Sequence, residues 1–294
     1  MLATRVPDAA GTEAAFAVDP SGAGFGCGVV PSLPPFRLGL PHMSPEGACR
    51  GWLLREACHI HWSRIAERIG AFPTGFRDRS GARVLPSVVA CTIRGDARRF
   101  AEDDLCRFHL FEAPSAGNGW RSELALTSVR GAMLRVEIVT RFVRRGGASN
   151  TDLVEADLED GFHTPRDAAA ARRAELIRRL GEADRIVAAL DGDVPFRAIA
   201  IERDIHLDGV GLVCFTEIHQ MIARSERGVL PGHARSWPMQ DRRVHFFGNL
   251  DAGDRLEINT RLEAEASTAA IARSFARRAS DGEVIATAES VYGL

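Results

Sequence analysis

The sequence predicts an α+β fold made of two fused units, each with a central helix wrapped by an antiparallel sheet. Apolar residues recur at helical spacing over residues 51–69 and again over residues 212–224. Alternating or apolar stretches, bounded by turn residues, follow both helices and indicate strands. The order of strand, helix and antiparallel meander therefore occurs twice in a chain of 294 residues, which is long enough to bury two cores.

The first unit begins with a short strand at residues 36–40 and a turn-rich loop before its helix. Its later strands are predicted at residues 84–94, 105–111, 122–129, 133–143 and 153–158. Glycine-containing turns separate these strands, as expected for neighbours in an antiparallel meander.

The second unit repeats this order after a turn at Asp208. Its strands are predicted at residues 196–203, 244–248, 255–262, 270–276 and 283–291. Matching Gly51 to Gly211 gives an offset of 160 residues, and matching Asp104 to Asp254 gives an offset of 150. Similar offsets for a helix and a later strand turn indicate a duplicated unit.

The duplication predicts four segments along the chain. Residues 1–34 are rich in Ala, Gly and Pro and are expected to form a flexible arm. Residues 35–160 form the first domain, 161–193 a helical linker and 194–294 the second domain. The linker contains an amphipathic helix over residues 164–190, with Thr164 as N-cap and Pro165 in the first turn.

Composition excludes several classes of function. The formal net charge is −2, so no basic field attracts nucleic acid. All 37 basic residues are arginine, and without lysine there is neither Schiff-base chemistry nor a P-loop. The six cysteines form no C-x-x-C pair, and no signal peptide or apolar stretch of about 18 residues appears. We therefore expect a cytoplasmic protein with free thiols and no membrane partner.

Residues 208–219 read Asp-Gly-Val-Gly-Leu-Val-Cys-Phe-Thr-Glu-Ile-His. This segment resembles the hotdog thioesterases of the 4-hydroxybenzoyl-CoA type, in which an Asp precedes the turn that opens the central helix. His42, Gly51 and Glu56 have the spacing of the signature of β-hydroxyacyl-ACP dehydratases, although Arg50 stands where that family has Pro. The two halves therefore resemble two branches of one fold, the hotdog.

The whole chain resembles the double-hotdog proteins of polyketide biosynthesis, a group that includes the leinamycin-pathway acyltransferase/decarboxylase. The fused halves, the helix start at Gly51 and the pair His61-Trp62 carry this resemblance. That decarboxylase group uses a tyrosine nucleophile, whereas the single tyrosine here is Tyr292, close to the end of the sequence.

The resemblance implies an enzyme that acts on an acyl group carried as a thioester on an acyl-carrier protein or coenzyme A. Dehydration of a β-hydroxyacyl group is the leading expectation. Thioester hydrolysis, acyl transfer with decarboxylation, and a non-catalytic module that binds a carrier protein or an intermediate are the alternatives. No cofactor is expected beyond the phosphopantetheine or coenzyme A carrier, and a homodimer is a further expectation.

Two composite sites follow from the resemblance, each shared between the halves. One joins His42 and the amides of Gly51 and Trp52 to an acid on the second helix, Glu217. The other joins Asp208 and the amides of Gly211 and Leu212 to Glu56 of the first helix. In each, a helix N-terminus would supply unpaired N–H groups to the oxygen of the thioester carbonyl, and a carboxylate or histidine would move a proton.

Other readings of these residues stay open in the sequence. Asp208 is also a suitable helix N-cap. Arg141, Arg144 and Arg145 fit a solvated strand end or a contact with the phosphates of the carrier. His59 and His61 are two apart on a helix and point in different directions, so no metal site is predicted.

Overall fold

A computed structural model describes residues 33–72, 75–113, 119–156, 166–190 and 197–294. Nearly all of the predicted N-terminal arm, together with Thr164 and Pro165, lies outside the described residues. The described chain consists of one large antiparallel sheet, a two-stranded hairpin and helices that pack on the sheet.

The strands of the first half are β1 (Phe36–Arg37), β2 (Met43–Ser44), β3 (Gly47–Ala48), β4 (Leu85–Arg94), β5 (Leu105–Ala113), β6 (Gly119–Ser128), β7 (Met133–Arg145) and β8 (Leu153–Glu155). Those of the second half are β9 (Arg197–Ala200), β10 (Met239–Phe246), β11 (Arg255–Glu265), β12 (Ala269–Arg278) and β13 (Val284–Gly293). The α-helices are α1 (Arg50–Arg68), α2 (Arg166–Leu190), α3 (Arg203–His206) and α4 (Phe215–Val229). Short 3₁₀ turns occur at Leu40–His42, Ala97–Arg99 and Gly232–Ala234.

The two halves share a single sheet of eleven strands. Its order is β1-β5-β6-β7-β4-β10-β13-β12-β11-β9, with β8 added beside β7. The two halves meet where β4 pairs with β10, from Arg94 opposite Asp241 to Ala90 opposite His245. Because the order of strands on one side of this junction mirrors the order on the other, the halves are related as the two subunits of a dimer would be.

Each half wraps its part of the sheet around one long helix. The buried face of α1 carries Leu53, Leu54 and Ala57, and the buried face of α4 carries Ile218 and Ile222. These side chains belong to one apolar core that runs through both halves. The chain therefore has the predicted α+β, double-hotdog architecture.

Equivalent hydrogen bonds in the two halves confirm the duplication. The N–H of Leu38 donates to the carbonyl of Asp104 at 3.0 Å, and the N–H of Ile201 donates to the carbonyl of Asp254 at 2.8 Å. The predicted match of Asp104 with Asp254 is thus confirmed.

The helices match differently from the prediction. The N–H of Cys49 donates to the carbonyl of His42 at 2.8 Å, and the N–H of Cys214 donates to that of His206 at 3.0 Å. Both cysteines are N-caps, so the helix offset runs from Cys49 to Cys214, which is 165 residues rather than 160.

The predicted start of the second helix at Leu212 is wrong by three residues. Leu212 and Val213 complete the turn that precedes α4, and Val213 forms a β-bridge with Leu207. The strand predicted at residues 196–203 ends at Ala200, because Arg203–His206 form a helical turn closed by a bond from the N–H of Glu202 to His206 Nδ1. β10 begins at Met239, five residues before the predicted start.

Five of the cysteines lie in the described chain and none of them forms a disulfide: Cys49, Cys58, Cys91, Cys106 and Cys214. Burial raises the pKa of the thiols of Cys58, Cys91 and Cys106, which agrees with small apolar cysteines inside a core. Within the described ranges, no helix has the length and apolar character that a membrane span requires.

Candidate functional site

A cavity of about 580 Å³ lies at the seam between the two halves. The first half contributes α1, β4, β7 and β8 to its walls, and the second contributes the loop before α4 and the end of β10. Helix α2, which lies between the halves in sequence, adds Arg179 and Leu180. The cavity is therefore composite, as the sequence predicts for the site.

Asp208 lines this cavity and is held by its own loop. Its Oδ1 accepts hydrogen bonds from the N–H of Val210 at 2.9 Å and of Leu212 at 3.1 Å. The Asp208 N–H donates to the carbonyl of Leu212, and its carbonyl accepts from Gly211. No described residue bonds to Oδ2, and the residue is exposed. The backbone thus orients the carboxylate through one oxygen and leaves the other for a ligand.

The N-terminus of α4 lies in the same cavity. Cys214, the N-cap, and Phe215, the first helical residue, both line it. Within the described chain, no group accepts a hydrogen bond from the N–H of Phe215 or Thr216. Both N–H groups lie at the positive end of the helix dipole, and that of Phe215, which lines the cavity, can bind an oxyanion.

The prediction that Gly211 and Leu212 supply the oxyanion donors is not met by this geometry. The N–H of Gly211 donates to the carbonyl of Asp208 at 2.9 Å, and the N–H of Leu212 is bonded to the Asp208 carboxylate. Both amides are used by the turn, which Gly211 allows through its positive φ of 79°. In the described chain, the unpaired N–H at the cavity belongs to Phe215 instead, because the helix begins three residues later than predicted.

The first half clamps this loop from across the seam. Asn150 Nδ2 donates to the carbonyls of Gly211, at 2.7 Å, and of Leu250, at 3.0 Å. Arg145 Nη2 donates to the carbonyl of Val210 at 2.8 Å. The turn at Asp208 is therefore fixed by both halves.

A second contact fastens the same clamp. Ser149 Oγ donates to one oxygen of Asp251, and the N–H of Asn150 donates to the other at 2.9 Å. These two bonds, that of Ser149 first, hold the pKa of the Asp251 carboxyl below its ordinary value. In the second half, Asn249 Oδ1 accepts from the N–H of Val213 at 3.0 Å and so supports the turn before α4.

His42 lies away from the seam cavity, in an aromatic cluster of the first half. Its ring centroid is 4.7 Å from that of Trp52, and Phe36 packs on both. The N–H of Gly39 donates to His42 Nδ1 at 2.8 Å. A neutral ring that accepts at Nδ1 carries its proton on Nε2, so it has no nitrogen left to accept another proton. The structure thus opposes the predicted role of His42 as a general base.

The other predicted members of the first site also lie elsewhere. The amides of Gly51 and Trp52 are in the first turn of α1 and have no partner in the described chain. Gln220 Nε2 would be 3.0 Å from a Cβ at Gly51, so a side chain of α4 covers this helix start. Trp52 packs in the aromatic cluster.

The two predicted glutamates do not contribute a carboxylate to the seam cavity. Glu56 is half-buried on α1, whereas Arg55, Cys58 and Trp62 form the face of α1 that lines the cavity. Glu217 forms an ion pair with Arg55 at 3.7 Å. Among the described residues, no hydrogen bond or ion pair joins Glu217 to His42 or Glu56 to Asp208.

The sequence allows Arg141, Arg144 and Arg145 either to form a solvated strand end or to contact the phosphates of the carrier, and the structure places them differently. Arg141 lines the cavity, and Arg145 holds the Val210 carbonyl. Arg144 pairs with Asp78 at 3.6 Å.

Tyr292 is not at the cavity. Its hydroxyl donates to Glu226 and accepts from Arg242 in a buried polar cluster under α4, and burial raises its pKa. This position offers no support for a tyrosine nucleophile.

Sequence reasoning missed most of the residues that line the cavity, among them Cys58, Asn150, Arg179, Cys214, Phe215 and Asn249. Cys214 could have been found by placing the N-cap after the whole Asp208–Val213 turn. The others lie in segments that the sequence pattern predicts to be core, loop or linker.

In the described chain no group of three or more His, Cys, Asp or Glu side chains is arranged for a metal ion. His61 is instead bonded to Ser122 and Thr140.

Known structures share this fold across almost the whole chain. A structure named as an oleoyl thioesterase of Lactobacillus plantarum is 10% identical with a TM-score of 0.63, and the match covers 91% of this chain and 97% of that one. The 12:0-ACP thioesterase of Umbellularia californica is 11% identical with a TM-score of 0.58, over 87% and 95% of the two chains.

An acyl-ACP thioesterase of Bacteroides thetaiotaomicron is 9% identical with a TM-score of 0.55, over 90% of this chain and 97% of that one. No protein-family model and no curated protein sequence matches this chain. At these identities the likeness is one of fold.

Proposed function

We propose that this chain is a thioesterase that hydrolyses an acyl thioester in the seam cavity. One observation carries the proposal: a carboxylate fixed through one oxygen, Asp208, shares a cavity with a helix N-terminus whose first N–H groups have no described partner. Hydrolysis needs a base for water and donors for an oxyanion, and this arrangement supplies both. The likeness in fold to acyl-ACP and oleoyl thioesterases supports the same reaction.

The reaction follows from these groups. Asp208 Oδ2 takes a proton from a water molecule as the water oxygen attacks the thioester carbon. The carbonyl oxygen becomes an oxyanion that accepts a hydrogen bond from the N–H of Phe215 at the positive end of the α4 dipole. When the intermediate collapses, the C–S bond breaks and the leaving thiolate takes the proton from Asp208. The products are a carboxylic acid and the free thiol of the carrier.

Dehydration, the leading expectation from the sequence, has less support. It requires a base near the α-carbon, and His42 has its acceptor nitrogen occupied by the N–H of Gly39. Glu56, the other member of the signature, does not line the seam cavity. Acyl transfer with decarboxylation is weakened by the buried position of Tyr292.

The carrier and pathway remain proposals. Acyl-carrier protein and acyl-coenzyme A both fit, because each presents the thioester on a phosphopantetheine arm. A role in polyketide biosynthesis rests on the sequence resemblance alone. A homodimer also remains an expectation.

Asp208→Asn tests the proposal, because Asn keeps an oxygen for the bonds to Val210 and Leu212 while removing the charge. We expect hydrolysis of a panel of acyl-pantetheine and acyl-CoA thioesters to fall about a hundredfold or more, with little change in Tm. The matched control is Asp204→Asn, which removes an exposed carboxylate outside the cavity and should keep the wild-type rate. Wild-type turnover in the Asp208 variant, on a substrate that the wild type hydrolyses, would show that this carboxylate is not the base.

A further inference from the structure

A second cavity, the α2 cavity, has a volume of about 170 Å³ and lies between α2 and the sheet of the second half. It shares no lining residue with the seam cavity. Arg242 of β10 pairs with Glu226 of α4, and Arg243, the next residue along the strand, lines the α2 cavity. Because successive side chains of a strand point to opposite faces, the α2 cavity is on the face of the sheet opposite α4. It is therefore separate from the proposed site of hydrolysis.

The strand register brings polar side chains together at the α2 cavity. Arg243 of β10 is opposite Glu289 of β13, which is opposite Arg273 of β12. Thr287 is two residues before Glu289 on β13 and so points to the same face. Together with two residues of α2, these form the charged and hydroxyl lining: Glu182, Arg185, Arg243, Arg273, Thr287 and Glu289.

Both carboxylates of this lining already have a cationic partner. Glu289 accepts a hydrogen bond from Arg273 Nε at 2.7 Å, and Glu182 accepts one from Arg178 Nη1 at 2.5 Å. Arg273 also pairs with Glu263, which lies outside the cavity. The charges of Glu289, Glu182 and Arg273 are therefore balanced within the protein.

The other two arginines of the lining have no carboxylate partner among the described residues. The side chain of Arg243 is exposed and forms neither a hydrogen bond nor an ion pair within the described chain. Arg185 donates through Nε to the carbonyl of Gly181 at 3.1 Å, which leaves its two Nη groups without a described partner. The α2 cavity thus carries a surplus of positive charge.

Thr287 adds a buried polar group to the same cavity. The residue is 1% exposed, and no described residue forms a hydrogen bond with its hydroxyl. A buried hydroxyl without a partner costs free energy unless a ligand or water bonds to it. A ligand that bonds to the hydroxyl of Thr287 would remove this cost.

We infer that the α2 cavity binds a terminal phosphate group, whose oxygens accept hydrogen bonds from Arg185, Arg243 and Thr287. Guanidinium groups form charge-assisted hydrogen bonds with phosphate oxygens. The three donors belong to α2, β10 and β13 and so surround the cavity, which suits a tetrahedral phosphate better than a planar carboxylate. Inorganic phosphate and the 3′-phosphate of coenzyme A share this chemistry. The site does not depend on the proposed hydrolysis.

Calorimetric titration of the full chain with inorganic phosphate, at constant ionic strength, tests the site. We expect saturable binding to the wild type, and binding at least about tenfold weaker in Arg243→Gln and in Thr287→Val, because each variant removes a donor to a charged ligand. The matched control is Arg255→Gln, which removes the same charge from an exposed position of the same sheet outside both cavities and should keep the wild-type Kd.

Thermal unfolding separates lost binding from lost folding. Thr287→Val keeps a similar shape and removes a hydroxyl that has no described partner, so its Tm without phosphate should not fall. Added phosphate should raise the Tm of the wild type and of Arg255→Gln, because it binds the folded state, and should have a smaller effect on Arg243→Gln and Thr287→Val.

Coenzyme A and dephospho-coenzyme A, which differ by the 3′-phosphate, identify the source of the phosphate. A Kd at least about tenfold lower for coenzyme A, with the difference lost in Arg243→Gln, would assign the site to that carrier. Equal Kd values with saturable binding of inorganic phosphate would keep the site and assign it to the free ion. Equal Kd values without phosphate binding, or wild-type binding in both Arg243→Gln and Thr287→Val, would overturn the inference and leave hydrolysis by Asp208 open.

Discussion

Asp208 and His42 are both predicted as catalytic from family motifs, and both are held by backbone N–H groups. The outcome differs because of how many acceptors each side chain has. A carboxylate has two oxygens, so Asp208 is oriented through Oδ1 and keeps Oδ2. A neutral imidazole has one acceptor nitrogen, and the N–H of Gly39 occupies it in His42. Spacing in the sequence cannot separate these cases, because it does not show which atoms are already bonded.

Removing the His42 ring should lower stability rather than turnover. His206, its counterpart in the second half, accepts the N–H of Glu202 through Nδ1 at the same distance of 2.8 Å. We expect His42→Ala and His206→Ala each to reduce the free energy of unfolding by about 1 kcal/mol through the lost hydrogen bond. Denaturant unfolding and steady-state turnover of the folded variants measure the two effects separately. A large loss of turnover in His42→Ala at unchanged stability would restore the dehydratase reading.

Three buried histidines make the stability of the fold depend on pH. Burial lowers the pKa of His61 to about 3, lowers that of His219 well below its ordinary value and lowers that of His109. The unfolded chain binds protons at all three near pH 6.5, whereas the folded chain binds them only at lower pH. Their contribution is therefore complete above about pH 6.5 and is lost as the pH falls towards the folded values, by up to about 1.4 kcal/mol per histidine per pH unit.

Unfolding between pH 6.5 and 4.5 measures this contribution. Hydrogen bonds lower the pKa values of the carboxyls of Asp78 and Asp251. The stability that these carboxylates contribute is therefore lost only below about pH 4, outside the range of this measurement. His61→Gln should flatten the slope of stability against pH, whereas His59→Gln, at an exposed position on the same helix, should keep it. An unchanged slope in His61→Gln would contradict the assignment.

At the scale of elements, α4 shows that a sequence pattern can predict a helix without predicting its first residue. The sequence predicts the helix itself correctly because its apolar face recurs at helical spacing. The predicted first residue is Leu212, directly after the turn Asp208-Gly209-Val210-Gly211. Leu212 and the next residue instead belong to a turn that is fixed by Asp208, by a bridge to Leu207 and by Asn249. Those contacts come from residues distant in the sequence or from a side chain whose direction the pattern does not give.

The clamp between the β7–β8 loop and the Asp208 turn should control both stability and activity. Asn150→Ala leaves the carbonyls of Gly211 and Leu250 without their donor. We expect about 1–3 kcal/mol lower stability and about tenfold lower kcat/KM, because the carboxylate is no longer held in one position. Asp152→Ala, an exposed substitution in the same loop, is the control. A variant with lost stability and wild-type kcat/KM would show that the clamp does not position Asp208.

At the scale of the whole molecule, the double unit was predictable and the cavity was not. Local periodicity and turn residues predict the duplicated order of elements. Equivalent hydrogen bonds to the carbonyls of Asp104 and Asp254 confirm that these two residues match. The cavity depends on how β4 and β10 part at the junction and on a linker helix that inserts Arg179 there. Hydrophobic periodicity in the sequence predicts neither where the ladder between the halves ends nor how far a single side chain extends.

The halves share a backbone plan and differ in their polar interiors. On the buried face of α1, His61 forms hydrogen bonds with Ser122 and Thr140. On the buried face of α4, Glu226 pairs with Arg242 and accepts a hydrogen bond from Tyr292. At the two helix starts, Phe215 borders the open cavity, whereas Arg50 reaches across the seam to the carbonyl of Met239. The two composite sites are therefore different, and the proposed hydrolysis belongs to the one that contains Asp208.

The most direct test of the central claim is a single substrate that can undergo either of the two leading reactions. A β-hydroxyacyl thioester on a carrier protein or coenzyme A is incubated with the wild type and followed by mass spectrometry. Hydrolysis by Asp208 predicts a free thiol on the carrier and an intact hydroxy acid, and both should disappear in Asp208→Asn. Loss of one water from an acyl group that stays on its carrier, retained in Asp208→Asn and abolished in His42→Ala, would contradict it.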